Sequence, residues 1–90
     1  MKIKDGYILR QVNNEWIVVT VGSAAINFSG LIRLNETGAF LFNLMLKETN
    51  VKTLVKELTN EFEISEEIAL RDVKKFIETL KVKKILDETN

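Results

Sequence analysis

The nine residues LNETGAFLF, Leu34 to Phe42, mark the point at which the chain changes from extended to helical patterns. Before Asn35, β-branched and aromatic residues dominate, whereas afterwards apolar residues recur at helical spacing. Asn35 is suited to cap a helix, and Glu36 places a carboxylate at the positive end of the helix dipole. The helix body is apolar at nearly every azimuth and needs cover on most sides. We therefore predict a central helix, packed between a sheet and later helices.

Two strands are predicted before this helix, YILRQV (Tyr7 to Val12) and WIVVTV (Trp16 to Val21). Asn13 and Asn14 favour a two-residue turn because asparagine tolerates positive φ. That register places one set of alternate residues on one face: Tyr7, Leu9, Gln11, Trp16, Val18 and Thr20. The opposite face then carries Ile8, Arg10, Val12, Ile17, Val19 and Val21. A three-residue turn would separate apolar from polar residues more cleanly, so both registers stay open at this point.

The third strand is predicted in the connection to the central helix. Two short segments there, Ala24 to Phe28 and Leu31 to Leu34, are expected to be extended. At least one of them should pair with the hairpin.

Two further helices are predicted from apolar spacing and capping residues. The second starts at Asn50, with the stripe Val51, Leu54, Val55, Leu58 and Phe62. The third is capped by Ser65, with the core stripe Ala69, Val73, Phe76 and Leu80. Ile85 and Leu86 are expected to fold back onto the domain. Strands followed by three short-linked helices predict an α+β, winged-helix-like domain over residues 1–90.

The composition narrows the class of protein. Formal net charge is zero, which argues against a partner bound mainly through phosphates. Cysteine is absent, so there is no disulfide framework or thiolate metal site, and a reducing compartment fits. No apolar run approaches the roughly 18 residues of a membrane span. We expect a soluble cytoplasmic domain that uses neither a membrane nor nucleic acid.

Catalysis is disfavoured by the residue types present. Histidine and cysteine are both missing, and no glycine-rich phosphate loop occurs. The carboxylates Glu61, Glu63, Glu66 and Glu67 straddle a helix junction, where a solvated surface is the expected role. We therefore predict a protein that is not an enzyme and has no cofactor or metal.

A helix-turn-helix DNA-binding domain is the main alternative, because a short turn joins the second and third helices. A recognition helix presents basic or amide side chains near its N-terminus. The third helix instead begins SEEIALRD, which is acidic where phosphates would lie. A dimerisation domain that exchanges its hairpin between chains is a further alternative.

One flank of the third helix carries more apolar surface than a core stripe requires. It consists of Leu70, Lys74, Ile77 and Lys81. The simpler interpretation is a wide core stripe with lysines that extend to solvent. The functional one is a groove wall beside the third strand, whose free edge would accept an added peptide strand. Tyr7 and Trp16 are expected to pack across the sheet rather than contact a ligand.

Several motifs resemble the PqqD family, the peptide chaperones of pyrroloquinoline quinone biosynthesis and related pathways, also called RiPP recognition elements. The central run Arg33 to Ala39 resembles the family signature L-N-x-T-G/A. Gly6 to Arg10, Ala25 to Asn27 and the D-V-x-x-F-x-x-x-L pattern that starts at Asp72 also match. The chain departs from the family in having Phe42 where tryptophan is common, and Lys83-Lys84 where glycine often follows the third helix.

The resemblance implies a three-stranded antiparallel sheet followed by a three-helix bundle. It also implies a non-catalytic module that binds the leader segment of a precursor peptide and presents it to a modifying enzyme, commonly a radical SAM protein. The leader would add to the third strand and lie against the third helix. Carried onto this sequence, the peptide-binding residues are Leu31, Ile32, Arg33, Leu70, Lys74, Ile77 and Lys81. The protein would be a monomer or a hairpin-exchanged dimer.

Overall fold

The computed structural model describes residues 1–22, 24–25 and 32–88. Its strands are β1 (Lys2–Ile3), β2 (Tyr7–Val12), β3 (Glu15–Thr20), β4 (Ile32–Leu34) and β5 (Leu86–Asp87). Its helices are α1 (Glu36–Leu44), α2 (Val51–Phe62) and α3 (Glu66–Val82). The predicted α+β architecture, a three-stranded antiparallel sheet followed by three helices, is confirmed.

The main sheet has the strand order β2-β3-β4, and every pairing is antiparallel. Asn13 and Asn14 form the two-residue turn with φ of 50° and 66°. Tyr7 therefore pairs with Thr20, and the two-residue register is confirmed. Its inner face packs on the core through the buried Val18, while Val12 on the outer face is 48% exposed.

The connection to β4 differs from the prediction. Ala24 and Ala25 are helical, not extended, because the amide of Ala25 donates to the carbonyl of Gly22 at 3.1 Å and closes a turn. The rest of the first predicted extended segment lies outside the described residues. The second segment forms β4, where Ile32 pairs with Val18.

Helix α1 is the central helix that the sequence predicts. Asn35 caps it, since its Oδ1 accepts a hydrogen bond of 2.8 Å from the amide of Gly38. Phe42 is fully buried. The helix contacts β2 and β4 on one side and α2 on another, so its apolar surface is covered from several directions.

The α2 stripe is confirmed, but the α3 stripe differs at one position. Leu54, Val55 and Leu58 of α2 are buried. In α3 the buried side chains are Ala69, Val73, Ile77 and Leu80. Ile77 is only 8% exposed, whereas Phe76, which the sequence interpretation placed in the core, is partly buried. Both residues flank the stripe at helical spacing of about 100° per residue, and packing against the neighbouring elements buries Ile77 more deeply.

The two termini close the domain together. β5 pairs with β1, an interaction that the sequence analysis did not predict. Ile85 and Leu86 are buried, which confirms that the tail folds back. At the end of α3, Lys84 adopts a left-handed φ of 61°. Among the described residues, no helix is long and apolar enough to cross a membrane.

Candidate functional site

The outer edge of β4 is the first component of the candidate site. Within the described ranges, β4 pairs only with β3, so its second edge has no strand partner. Ile32 is buried against the core, and the Arg33 side chain is 69% exposed on the other face of the sheet. An unpaired strand edge presents backbone N–H and C=O groups that can bind an added strand.

The second component is the corner at which β4, α1 and α3 meet. A Cβ built on Gly38 would lie 3.5 Å from Cβ of Leu34 and 3.4 Å from Cε1 of Phe76. The end of the strand and the side of α3 are therefore separated by little more than the first turn of α1. Glycine allows this approach because it has no side chain of its own.

A groove opens at this corner, which we call the corner groove. Its volume is about 230 Å³. It is lined by Asn35, Thr37, Gly38, Leu41, Asp72, Lys75, Phe76 and Thr79. Phe76 supplies an apolar surface, while Asp72 and Lys75 place opposite charges on the α3 side. Such a groove can hold an apolar side chain and bind polar backbone groups at its rim.

The predicted flank of α3 lies on the other side of that helix. At about 100° per residue, Phe76 and Ile77 point to opposite sides of the line through Ala69 and Leu80. Leu70, Lys74 and Lys81 follow Ile77, away from the corner groove. Leu70 is 38% exposed, and Lys81 forms an ion pair of 3.4 Å with Glu88.

The structure thus brings together only part of the predicted set. Ile32 and Arg33 lie at the β4 edge, while Leu31 falls outside the described residues. Ile77 belongs to the core instead of an exposed wall. Sequence reasoning missed the Phe76 side because Phe76 was assigned to the core stripe. The sequence did offer one signal for this side of the helix, because the neighbours of Phe76 on the helix surface are polar, Asp72 at i−4 and Thr79 at i+3.

The start of α3 carries no basic surface for a phosphate backbone. Ser65 caps the helix by accepting from the amide of Ile68 at 3.2 Å, and Glu66 and Glu67 occupy the first turn. Both carboxylates are exposed. The structure therefore gives no support to the DNA-binding alternative. No group of three or more acidic, histidine or cysteine side chains in the described part of the chain could hold a metal ion.

Comparison with known proteins places this fold in a family. The model of the family described as Coenzyme PQQ synthesis protein D (PqqD) matches residues 15–86. The chain belongs to the PqqD family. The matched range includes β3, β4, all three helices and the start of β5, so it contains both components of the candidate site. No curated protein matches the chain significantly.

Two solved structures share the PqqD-type architecture. One, described as TbiB1 in complex with the TbiA(beta) leader peptide, has a TM-score of 0.76 and 18% identity and covers 100% of this chain and 99% of its own. The other, a lasso peptide synthetase B1 complexed with the leader peptide, has a TM-score of 0.68 and 20% identity. It covers 90% of this chain and 89% of its own. At these identities the similarity establishes the fold.

Proposed function

We propose that this PqqD-family chain binds the leader segment of a ribosomally made precursor peptide and presents it to a modifying enzyme. The observation that carries the proposal is the outer edge of β4, which has no strand partner among the described residues and lies beside the corner groove. Both structurally similar proteins are described as complexes with leader peptides, which supports the same class of ligand here. The whole of residues 1–90 acts as one peptide-binding domain.

The leader adds to the sheet as a fourth strand beside β4. Backbone hydrogen bonds along the edge supply sequence-independent affinity, and alternate side chains of the peptide face the protein and supply specificity. Ile32 and Arg33 provide the described part of this edge, and Leu31, which the sequence also predicts as a peptide-binding residue, lies outside the described residues. The Arg33 side chain is 69% exposed, and its ion pair with Glu15 is long, 3.9 Å between Nε and Oε2, so an acidic residue of the leader can compete for Arg33.

The second wall of the binding site is α3, and the corner favours its Phe76 side. Phe76 packs beside Gly38 and lines the corner groove together with Lys75. Three of the residues predicted from sequence lie exposed on the opposite flank of α3: Leu70, Lys74 and Lys81. Only a longer leader that passes around the helix would contact them. Ile77 contributes by fixing α3 in place, since its side chain is buried.

The chain performs no chemistry in this role. Its sequence contains neither histidine nor cysteine, and the proposed site offers strand edge, aromatic surface and charge. The peptide-modifying enzyme, a radical SAM protein in the commonest arrangement of the family, supplies the reaction. The chain acts in the cytoplasm, where precursor peptides are made.

A peptide titration tests the proposal. A synthetic leader, taken from a precursor gene next to this chain's own gene, is added to isotope-labelled protein while backbone amide shifts are followed. The largest shifts are expected at Ile32, Arg33 and Phe76. Shifts confined to α2 and the Asn13–Asn14 turn would overturn the proposal.

Two lysines distinguish the two walls of α3. Lys75 and Lys74 are adjacent and both exposed, but only Lys75 lines the corner groove. Charge reversal by Lys75→Glu is expected to change leader affinity by about threefold or more, whereas Lys74→Glu should change it less. A larger effect of Lys74→Glu would assign the peptide to the Leu70 side.

A further inference from the structure

A second and larger groove lies on the other side of α1 from the corner groove. Its volume is about 670 Å³, and it is bounded by residues of β2, α1 and α2. We call it the α1–α2 groove and define it by the lining residues used below: Glu36, Phe40, Asn43, Leu46, Glu61 and Phe62. At about 100° per residue, its α1 residues point away from Thr37, Gly38 and Leu41 of the corner groove. Among the described residues, none lines both grooves.

The α1–α2 groove has an aromatic lining. The rings of Phe40 and Phe62 meet edge to face, with centroids 5.4 Å apart and an interplanar angle of 86°. Both side chains are partly buried, and Leu46 at the rim is 43% exposed. Contiguous apolar surface that is open to water marks a binding site more often than scattered apolar residues do. This lining is therefore suited to contact with a second protein.

The α1 wall of the groove has the spacing of a helix-packing surface. Glu36, Phe40 and Asn43 follow one another at i, i+4 and i+7, which makes a row along the helix. At 1.5 Å per residue this row is about 10 Å long, or about two turns. A helix laid alongside it can direct its apolar stripe at Phe40 and Phe62 while its flanks reach the rim. An extended strand would instead turn every second side chain away from the groove.

The charge at the rim of the groove has one sign. Glu36 and Glu61 are exposed, and within the described part of the chain neither of them forms an ion pair. None of the described lining residues is lysine or arginine. The corner groove differs, because Lys75 lines it. A partner for the α1–α2 groove must therefore combine apolar side chains with positive charge.

Glu61 lies at a position that its own helix disfavours. It is in the last turn of α2, where the helix dipole is negative and a carboxylate is repelled. Glu57, one turn earlier, has the same charge, so the pair at i and i+4 is also unfavourable. Glu61 therefore does not stabilise α2, and its carboxylate is available to a cation of a partner.

We propose that the α1–α2 groove docks an amphipathic helix of a second protein, in which lysine or arginine flanks the apolar stripe. The stripe covers Phe40, Phe62 and Leu46, and the flanking cations pair with Glu36 and Glu61. Docking of this kind needs no hydrogen bonds to the backbone of β2, because a helix pairs its own backbone groups internally.

The α1–α2 groove and the proposed leader site can be occupied together, because they lie on opposite sides of α1. A leader bound beside β4 would leave the α1–α2 groove open to the docked helix. The second protein would then be held on the same small domain as the leader. This simultaneous occupancy rests on the proposed function, whereas docking at the groove does not.

The probe is a capped, alanine-based peptide of about four helical turns, with leucines at i, i+3, i+4 and i+7 and lysines on both sides of that stripe. One counterpart has glutamate for every lysine, and another has proline for a central alanine, which breaks the helix. All three are titrated into the isotope-labelled full chain. The lysine peptide is expected to bind at least about tenfold more tightly than either counterpart and to shift the amides of Phe40, Leu46 and Phe62. Equal affinity of the lysine peptide and either counterpart, no binding, or shifts elsewhere would overturn the proposal.

Two variants test the assigned contacts. Glu61→Lys should weaken the lysine peptide about fivefold and strengthen the glutamate peptide, and the fold should persist because lysine suits the last turn of a helix. Leu46→Ser should weaken the lysine peptide about threefold, since an exposed apolar contact is lost. Glu78→Lys, at an exposed position of α3, makes the same change in net charge and should alter neither affinity. Unchanged affinity in Glu61→Lys, or an equal loss in Glu78→Lys, would overturn the proposal.

Further measurements separate this inference from leader binding and from self-association. If the lysine peptide binds and the leader does not, the proposed function fails and the docking inference stands. If the leader displaces the lysine peptide, the groove belongs to the leader site and the docking inference is wrong. Sedimentation that shows a dimer abolished by Leu46→Ser would assign the groove to a second copy of this chain and overturn the proposal.

Discussion

Gly38 lies beside the ring of Phe76: a Cβ on Gly38 would be 3.4 Å from Cε1 of that ring and 3.0 Å from Oδ1 of Asn35. The first turn of α1 is thereby held against the side of α3. Because Leu34, the last residue of β4, is also within contact distance of that point, one glycine sets the spacing between the strand edge and the helix.

Substitution Gly38→Ala tests this spacing. Glycine to alanine inside a helix normally gains about 1 kcal/mol. Here the added methyl group would lie 3.0 Å from the oxygen that caps α1, which must shift, and in contact with the ring of Phe76; overpacking of this kind costs about 1–3 kcal/mol. We expect a net loss of about 1 kcal/mol in the free energy of unfolding, measured by urea denaturation.

The control for Gly38→Ala is Asn60→Ala, at an exposed position inside α2. It should gain a few tenths of a kcal/mol from helix propensity alone. A gain of that size at Gly38 would show that the corner has room for a side chain.

The cap at Asn35 should contribute to stability and not to peptide contact. Its Oδ1 accepts from the amide of Gly38 at 2.8 Å and also from the hydroxyl of Thr37 at 3.1 Å. We expect Asn35→Ala to lower the free energy of unfolding by about 1 kcal/mol, measured by urea denaturation, with nearly unchanged leader affinity under native conditions.

Asn50 provides the matched comparison for that variant. It caps α2 through the same contact, 2.8 Å from the amide of Thr53, and does not line the corner groove. Asn50→Ala should cost a similar amount. If Asn35→Ala abolished leader binding while stability held, Asn35 would be a contact residue instead of a cap.

The burial of Ile77 separates a core role from a ligand-binding one. Ile77 is 8% exposed and Leu70 is 38% exposed, although both lie on the same flank of α3. We expect Ile77→Ala to lower the free energy of unfolding by about 3 kcal/mol because it opens a cavity, and Leu70→Ala by less than about 1 kcal/mol. If both variants lost a similarly small free energy of unfolding in chemical denaturation, Ile77 would be an exposed residue of the helix wall and not a core residue.

Ionic strength should affect leader binding only modestly. Strand addition depends mainly on backbone hydrogen bonds, so raising salt from about 50 to about 200 mM should weaken affinity by less than about tenfold. Binding that neutralises six to ten phosphates would lose about 10³–10⁵ over that range. Fluorescence anisotropy at several salt concentrations measures the slope, and a steep one would reopen the nucleic-acid alternative.

The sequence predicts the features that depend on local chemistry. The turn at Asn13–Asn14 follows from the tolerance of asparagine for positive φ, and the caps at Asn35, Asn50 and Ser65 follow from their side-chain acceptors. The sheet register did not follow from the sequence alone, which left two registers open; the two-residue turn selects the one in which Tyr7 pairs with Thr20.

Features that depend on distant packing could not be predicted in the same way. Phe76 and Ile77 both flank the stripe of α3, and only the position of the neighbouring elements decides which is buried deeper. The pairing of Lys2–Ile3 with Leu86–Asp87 joins the two ends of the chain, and two-residue strands leave no periodic pattern. The candidate site combines both cases, with a predictable strand edge and an unpredicted helix face.

The last prediction concerns the end of α3, where Lys84 has the left-handed backbone conformation that glycine usually adopts. Lys84 has φ of 61°, its amide donates to the carbonyl of Lys81 at 3.0 Å, and the amide of Ile85 donates to Leu80 at 3.1 Å. This is the arrangement that glycine normally completes at a helix C-terminus. A left-handed residue with a Cβ costs about 1–2 kcal/mol, and glycine has its own entropy cost. Lys84→Gly should therefore raise the free energy of unfolding by about 0.5–1 kcal/mol, measured by thermal and urea denaturation.

Lys83→Gly is the control; its φ of −82° is helical, and it should lower the free energy of unfolding in the same measurements. A loss in both variants would show that the Lys84 side chain contributes more at this position than its backbone strain costs.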